Sequence, residues 1–149
     1  MDLQKISDRL DIERLINDYL RSLDEKSYDG DDRWAHAYFT EDAYSRTPIG
    51  EYRGVGAQLT STRQGMAPFE RTVHFGSNVI VELDGDRAEV RWNQLSTHKL
   101  REGEGDRLFF SGGYVEGEMV RTGEGWRLRR MVLEIGWTQG TPPLPVPLS

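Results

Sequence analysis

The chain has 149 residues and no cysteine, and its 19 Lys and Arg stand against 25 Asp and Glu, a formal net charge of −6. That length suits one domain that buries its own core without disulfide or metal staples. The acidic balance gives no excess positive field for nucleic acid or an anionic membrane, so the expected partner is a small molecule. Apolar residues are 36% of the chain, but four Trp, six Tyr and five Phe supply enough core surface to argue against disorder. No apolar run reaches membrane-spanning length, and the first residues lack the apolar stretch of a signal peptide; cytoplasmic residence is the default expectation.

From Ile6 to Leu23, the residues Ile12, Leu15, Ile16, Tyr19, Leu20 and Leu23 recur at helical spacing, with Arg14, Asp18 and Arg21 opposite, which predicts an amphipathic helix. After the turn-forming Ser27 to Gly30, Asp31 or Asp32 can cap a short second helix carrying Trp34, Ala35, Tyr38 and Phe39. A third helix is expected from about Val55 to Met66, stopped before Pro68.

Beyond Pro68 the period falls to two. Val79, Val81 and Leu83 alternate with Ile80 and Glu82, Asp84-Gly85-Asp86 makes a turn, and Ala88, Val90 and Trp92 alternate again, which reads as a long hairpin. Residues 101–106 form an acidic, glycine-rich break expected to be a solvated hairpin loop. A strand from about Leu108 to Val120, a turn at Thr122 to Gly125 and a last strand from Trp126 to Trp137 follow. Four prolines in Thr141 to Ser149 forbid a further ladder and predict an extended tail on the surface or on a neighbour. Helices first and antiparallel strands afterwards describe a single α+β domain over residues 1–140, with helices in the concave face of a curved antiparallel sheet. Such a sheet encloses a cone-shaped cavity of the kind ligands favour.

Neither a phosphate loop nor a dinucleotide fingerprint occurs in a strand-to-helix context. Gly54-x-Gly56 before the third helix reads either as an anion site or as a plain helix start. The three histidines show no metal-ligand spacing, so no metal and no cofactor are expected. His36 falls on the polar arc of the second helix and reads as solvated. His98 follows Ala88, Val90, Trp92, Gln94 and Ser96 on one side of its strand; it either approaches the interior or serves the nearby loop. His74, in Thr72-Val73-His74-Phe75-Gly76-Ser77-Asn78, has apolar neighbours that would desolvate a neutral imidazole able to accept a proton; the alternative is a core histidine satisfied by a carbonyl. Asp24 ends the first helix where the dipole disfavours a carboxylate, so it is either a frayed terminal acid or the partner of His74, fixing its tautomer and stabilising the imidazolium. Tyr19, one and a half turns earlier, either aims its hydroxyl into the same cavity or fills core. Trp34, Tyr38, Trp92 and Met131 are candidates for the cavity wall. Arg129, read on one face with Met131, Leu133, Ile135 and Trp137, either meets a polar group of the ligand or pairs with an acid of a neighbouring chain.

At these residues the chain resembles the nuclear transport factor 2-like superfamily, specifically the branch of scytalone dehydratase, bile acid 7α-dehydratase, hexachlorocyclohexane dehydrochlorinase and the SnoaL-like cyclases. The similarity runs from Asp11-Ile12-x-x-Leu15-Ile16-x-x-Tyr19-x-x-x-Leu23-Asp24, through Phe39-Thr40-Glu41-Asp42-Ala43 and the His74 block, to Ser111-Gly112-Gly113-Tyr114 and Gly125 to Leu128. The resemblance implies that Asp24 and His74 form the catalytic dyad, with Tyr19 matching the tyrosine of the bile acid dehydratase. The dehydrochlorinase has a lysine at that place, a departure that counts against dehalogenation. It further implies a cofactor-independent lyase acting on a small hydrophobic cyclic substrate, in a dimer or trimer. The alternatives are a cyclase or isomerase acting on a polyketide or steroid-like ketone, or a binding module without catalysis.

Overall fold

The computed structural model describes residues 2–101 and 107–143; the acidic loop at 102–106 and the tail beyond 143 lie outside the described residues. Helix α1 spans Leu3–Asp24, starting three residues earlier than the periodicity indicates because the Asp2 carboxylate accepts hydrogen bonds from the Gln4 and Lys5 amides. Its buried stripe is Ile12, Ile16, Tyr19, Leu20 and Leu23, as the spacing requires. Helix α2 covers Val55–Met66, as expected. Gly54 begins it as an ordinary cap: its φ of 91° suits glycine, and its N–H donates to the Ala43 carbonyl.

The second predicted helix is shorter than expected. Only Trp34–Ala37 form a single 3-10 turn, and Phe39 already belongs to a strand. Strands β1 (Phe39–Thr47) and β2 (Gly50–Arg53) make a hairpin that the period analysis does not reveal. The long strands follow expectation: β3 is Phe69–Asp84, β4 Arg87–Leu100, β5 Leu108–Thr122 and β6 Gly125–Gly140. They form one six-stranded sheet in the order β2-β1-β6-β5-β4-β3. The sheet is mixed rather than wholly antiparallel, because β1 lies parallel to β6. Both helices pack against this sheet in the cone-shaped α+β arrangement, and the core runs from Ile12 and Ile16 through Trp92, Val115 and Met119 to Leu128. No helix among the described residues is long and apolar enough to cross a membrane.

One irregularity of β3 decides which side chains meet. Thr72, His74 and Gly76 face the helices, as even-numbered positions; farther along, Val79, Val81 and Leu83 do so, as odd-numbered ones. A strict period of two forbids that change. The parity switches at a register shift between Ser77 and Ile80, where Asn78 adopts φ 55°. Asparagine tolerates this left-handed conformation far better than a branched residue does. The bulge therefore lets one strand present polar groups at one end of the cone and apolar ones at the other.

At Asn78, a change to Gly is expected to alter stability by less than about 0.5 kcal/mol, whereas Asn78→Val should cost about 1–2 kcal/mol. Urea unfolding of the two variants measures the difference; equal stabilities would contradict a conformational role for this position.

Candidate active site

Helix α1 runs antiparallel to β3. Its Leu20 lies over Gly76, where a Cβ would sit 2.5 Å from Leu20 Cδ1, so the helix approaches the strand as closely as a glycine permits. That contact sets the last turn of α1 opposite Thr72 and His74. Asp24, the final helical residue, accepts three hydrogen bonds: from Thr72 Oγ1 at 2.8 Å, from the His74 amide at 3.0 Å, and from His74 Nδ1 at 2.7 Å. Burial alone would push the Asp24 carboxyl up, but the bonds from the His74 ring, its amide and Thr72 outweigh burial and hold it below the usual carboxylate value. An ionised carboxylate only accepts, so Nδ1 carries the proton and Nε2 of the neutral ring is the lone-pair nitrogen. The His74 side chain is 5% exposed. Its Nε2 has no hydrogen-bond partner among the described residues.

His98 lies beside it. The two rings are edge to face with centroids 5.8 Å apart, and His98 is stacked between Phe69 and Phe109 at 4.2 and 5.4 Å. His98 Nδ1 donates to the Phe109 carbonyl at 2.8 Å, so its Nε2 is likewise an acceptor. Loss of water around the ring pushes its pKa down to about 4, against the opposing pull of the Phe109 carbonyl. Of the two readings the sequence leaves for His98, the structure supports the interior one.

Along β4 the even positions all turn inward and change character midway. Ala88, Val90 and Trp92 are apolar, then come Gln94, Ser96 and His98. Trp92 Nε1 donates to Gln94 Oε1 at 3.0 Å, and Gln94 Nε2 donates to Ser96 Oγ at 3.1 Å. Pairing aligns His74 with Ser96 and Ser96 with Ser111, and Thr72 with His98, giving a buried polar strip across β3, β4 and β5. Burying so many polar groups is costly unless they are paired or meet a ligand. Gln94, Ser96 and Ser111 are absent from the candidates drawn from sequence. Their signal was the switch from apolar to polar residues on a single face of β4.

The remaining candidates separate into groups. Tyr19, Trp34 and Tyr38 form one aromatic cluster with Phe39, the Tyr19 ring centroid lying 5.6–6.1 Å from the other three. Burial pushes the Tyr19 phenol well up, so it stays protonated and can donate. Trp34 Nε1 donates to Ser22 Oγ at 3.0 Å, a bond that ties the 3-10 turn to α1. Met131 and Trp92 are buried in the inward-facing core. Arg129 does not share the face of Met131. A register shift between Glu118 and Met119 makes Arg129 the extra residue of a bulge, and it points to the outer face with its Nε 3.8 Å from Asp42. A second shift, beside Gly112, turns Trp137 outward as well, where its ring covers Gly112. His36 is half-buried, and its carbonyl accepts from Arg127 Nε. Among the described residues no three His, Asp or Glu side chains are grouped so as to hold a metal ion.

The low His98 value makes stability depend on pH with a defined sign. The unfolded chain takes up the proton near 6.5 and the folded one near 4, so stability is full above pH 6.5 and falls as the pH drops towards 4. Urea titrations at pH 7 and pH 4.5 should show the wild type losing about 2–3 kcal/mol more than His98→Gln. Equal losses would show that His98 is not desolvated in the folded protein.

Comparison with known proteins agrees with this architecture. The sequence pattern of the SnoaL-like domain matches residues 4–132. An uncharacterized protein of Mycobacterium tuberculosis is 30% identical over 142 residues, 89% of this chain and 88% of its own. Among solved structures, hexachlorocyclohexane dehydrochlorinase LinA-type3 from Novosphingobium barchaimii superposes with a TM-score of 0.81 at 20% identity, over 95% of this chain and 94% of that one. A protein of Kribbella flavida gives the same TM-score at 22% identity, over 91% and 95%. At such identities the superpositions speak for the fold, and the family match spans most of the sequence. The chain therefore belongs to the SnoaL-like domain family, within the nuclear transport factor 2-like superfamily.

Proposed function

We propose that this protein is a cofactor-independent lyase in which His74 is the general base and Asp24 its anchor. The observation that carries the reading is the 2.7 Å contact between Asp24 Oδ1 and His74 Nδ1, which leaves Nε2 of a largely buried ring as an acceptor with no partner among the described residues. A base needs a free lone pair, a fixed direction and a partner for the positive charge it acquires. His74 has all three.

In the proposed reaction, Nε2 takes a proton from a carbon beside a carbonyl group. The electron pair of that C–H bond becomes the new double bond, and a hydroxide leaves from the next carbon with its own bonding pair. The imidazolium formed is stabilised by Asp24 and returns its proton to the departing hydroxide, so water is the second product. Tyr19, held protonated by burial, donates to the leaving oxygen or to the developing enolate, a role able to lower a barrier by roughly 3–4 kcal/mol when the donor is preorganised. The substrate class is a small hydrophobic cyclic hydroxyketone, with Trp34, Tyr38 and Met131 as apolar wall; Trp92, wholly shielded from water, belongs to the packed core instead. A related reading, proton transfer without loss of a group as in a cyclase or isomerase, draws support from the SnoaL-like family match and uses the same base.

Incubation with pooled cyclic hydroxyketones should yield a product lighter by one water; a product of unchanged mass would favour the second reading. With a substrate in hand, His74→Gln and Asp24→Asn should each lower kcat by roughly 100-fold or more while stability changes by no more than about 1–2 kcal/mol. Full turnover in either variant, or unfolding without a change in turnover per folded molecule, would make the pair a structural cross-link instead.

A further inference from the structure

The outer face of the sheet, opposite the helices and remote from His74, holds a cleft of about 550 Å³ lined by Asp42, Tyr44, Arg53, Arg87, Glu118, Arg129 and Arg130. Four guanidinium groups there face two carboxylates, an excess of positive charge on a chain whose net charge is −6. Strand register assembles the group: Tyr44 pairs with Arg53 across β1 and β2 and with Arg130 across β1 and β6, and Arg130 pairs with Glu118 across β6 and β5. The bulge at Arg129 sends two consecutive arginines to one face, where a regular strand would have turned one of them inward.

Three of the arginines have a neighbour of their own. The Arg53 guanidinium lies 4.7 Å above the Tyr44 ring centroid, Arg87 Nη2 is 2.6 Å from Glu118 Oε2, and Arg129 Nε is 3.8 Å from Asp42. Arg130 has no ion pair or hydrogen bond of its side chain among the described residues. A set of planar forks of which two, Arg53 and Arg130, have no carboxylate partner among the described residues suits a phosphate or carboxylate group, which accepts two parallel N–H bonds from a fork. Arg129, for which the sequence leaves a ligand contact or a pairing with a neighbouring chain's acid, lines this outer-face cleft.

We propose that the outer-face cleft is a binding site for a small, multiply charged anion, carrying phosphate groups or paired carboxylates, held by Arg53, Arg87 and Arg130. The site is independent of the lyase reading, since none of its residues touches Asp24 or His74.

Calorimetric titration of the full chain with inorganic pyrophosphate and, separately, with citrate, at about 0.15 M salt, tests the proposal. Saturable binding of one anion per chain is expected, and the two titrations tell phosphate from carboxylate. Arg130→Gln should weaken it about tenfold or more, Arg130→Lys by less, and the Arg53→Gln/Arg130→Gln pair should abolish it, with the melting temperature unchanged. Failure of both anions to saturate, or undiminished binding by the double variant, overturns the proposal. So does a change in the molecular mass of the assembly in the Arg130→Gln protein, which would assign the cleft to contacts between copies of this chain.

Discussion

The site depends on a single carboxylate at the wrong end of a helix. Asp24 sits in the last turn of α1, where the helix dipole opposes negative charge by a few tenths of a kcal/mol up to about 1. It is nonetheless held ionised, because Thr72 and both nitrogens that His74 offers, backbone and ring, converge on its two oxygens. Those three bonds join the first helix to the first long strand and fix the tautomer of the histidine at the same time. Dipole repulsion is the cost of placing a charge where it can orient an imidazole.

Around that contact the cone divides into two environments. At one end the buried residues are apolar and densely packed, with Trp92, Met119 and Leu128 shielded from water. At the other, His74, His98, Ser96, Ser111 and Gln94 line the same concave side, and both imidazoles spend their Nδ1 protons on partners within the fold. Each is left with an acceptor nitrogen, yet they differ in character. His74 is backed by a carboxylate and suits proton abstraction. His98 has only a carbonyl behind it and two aromatic rings against its faces, an environment that keeps it neutral.

Much of this was legible from sequence because it rests on periodicity. The stripe of α1, the span of α2 and the β3–β4 hairpin follow from spacings of 3.6 and 2, and Asp24 and His74 were visible as an acid at a helix end and an imidazole at a strand start. What was hidden are one-residue insertions. The bulges at Asn78, Arg129 and Gly136 each reverse which face a strand presents, and a bulge depends on the partner strand rather than on local sequence. Arg129 was therefore read on the face of Met131 when it lies on the other. The segment from Phe39 to Arg53 was unreadable for a related reason: β1 is stabilised by a parallel neighbour that lies more than eighty residues later in the chain. The inward polar strip of β4 was the reverse case, present in the alternation at Gln94, Ser96 and His98 but overshadowed by the histidines.

The proposed chemistry turns on the protonation pattern of one imidazole, and nitrogen-15 NMR of histidine-labelled protein reads it directly. In alkaline buffer, where the ring is neutral, His74 should show a protonated Nδ1 and a bare Nε2, and the Asp24→Asn protein should lose that preference. A His74 ring protonated at Nε2, or one whose tautomer ignores the change at Asp24, would contradict the proposed pairing of base and anchor.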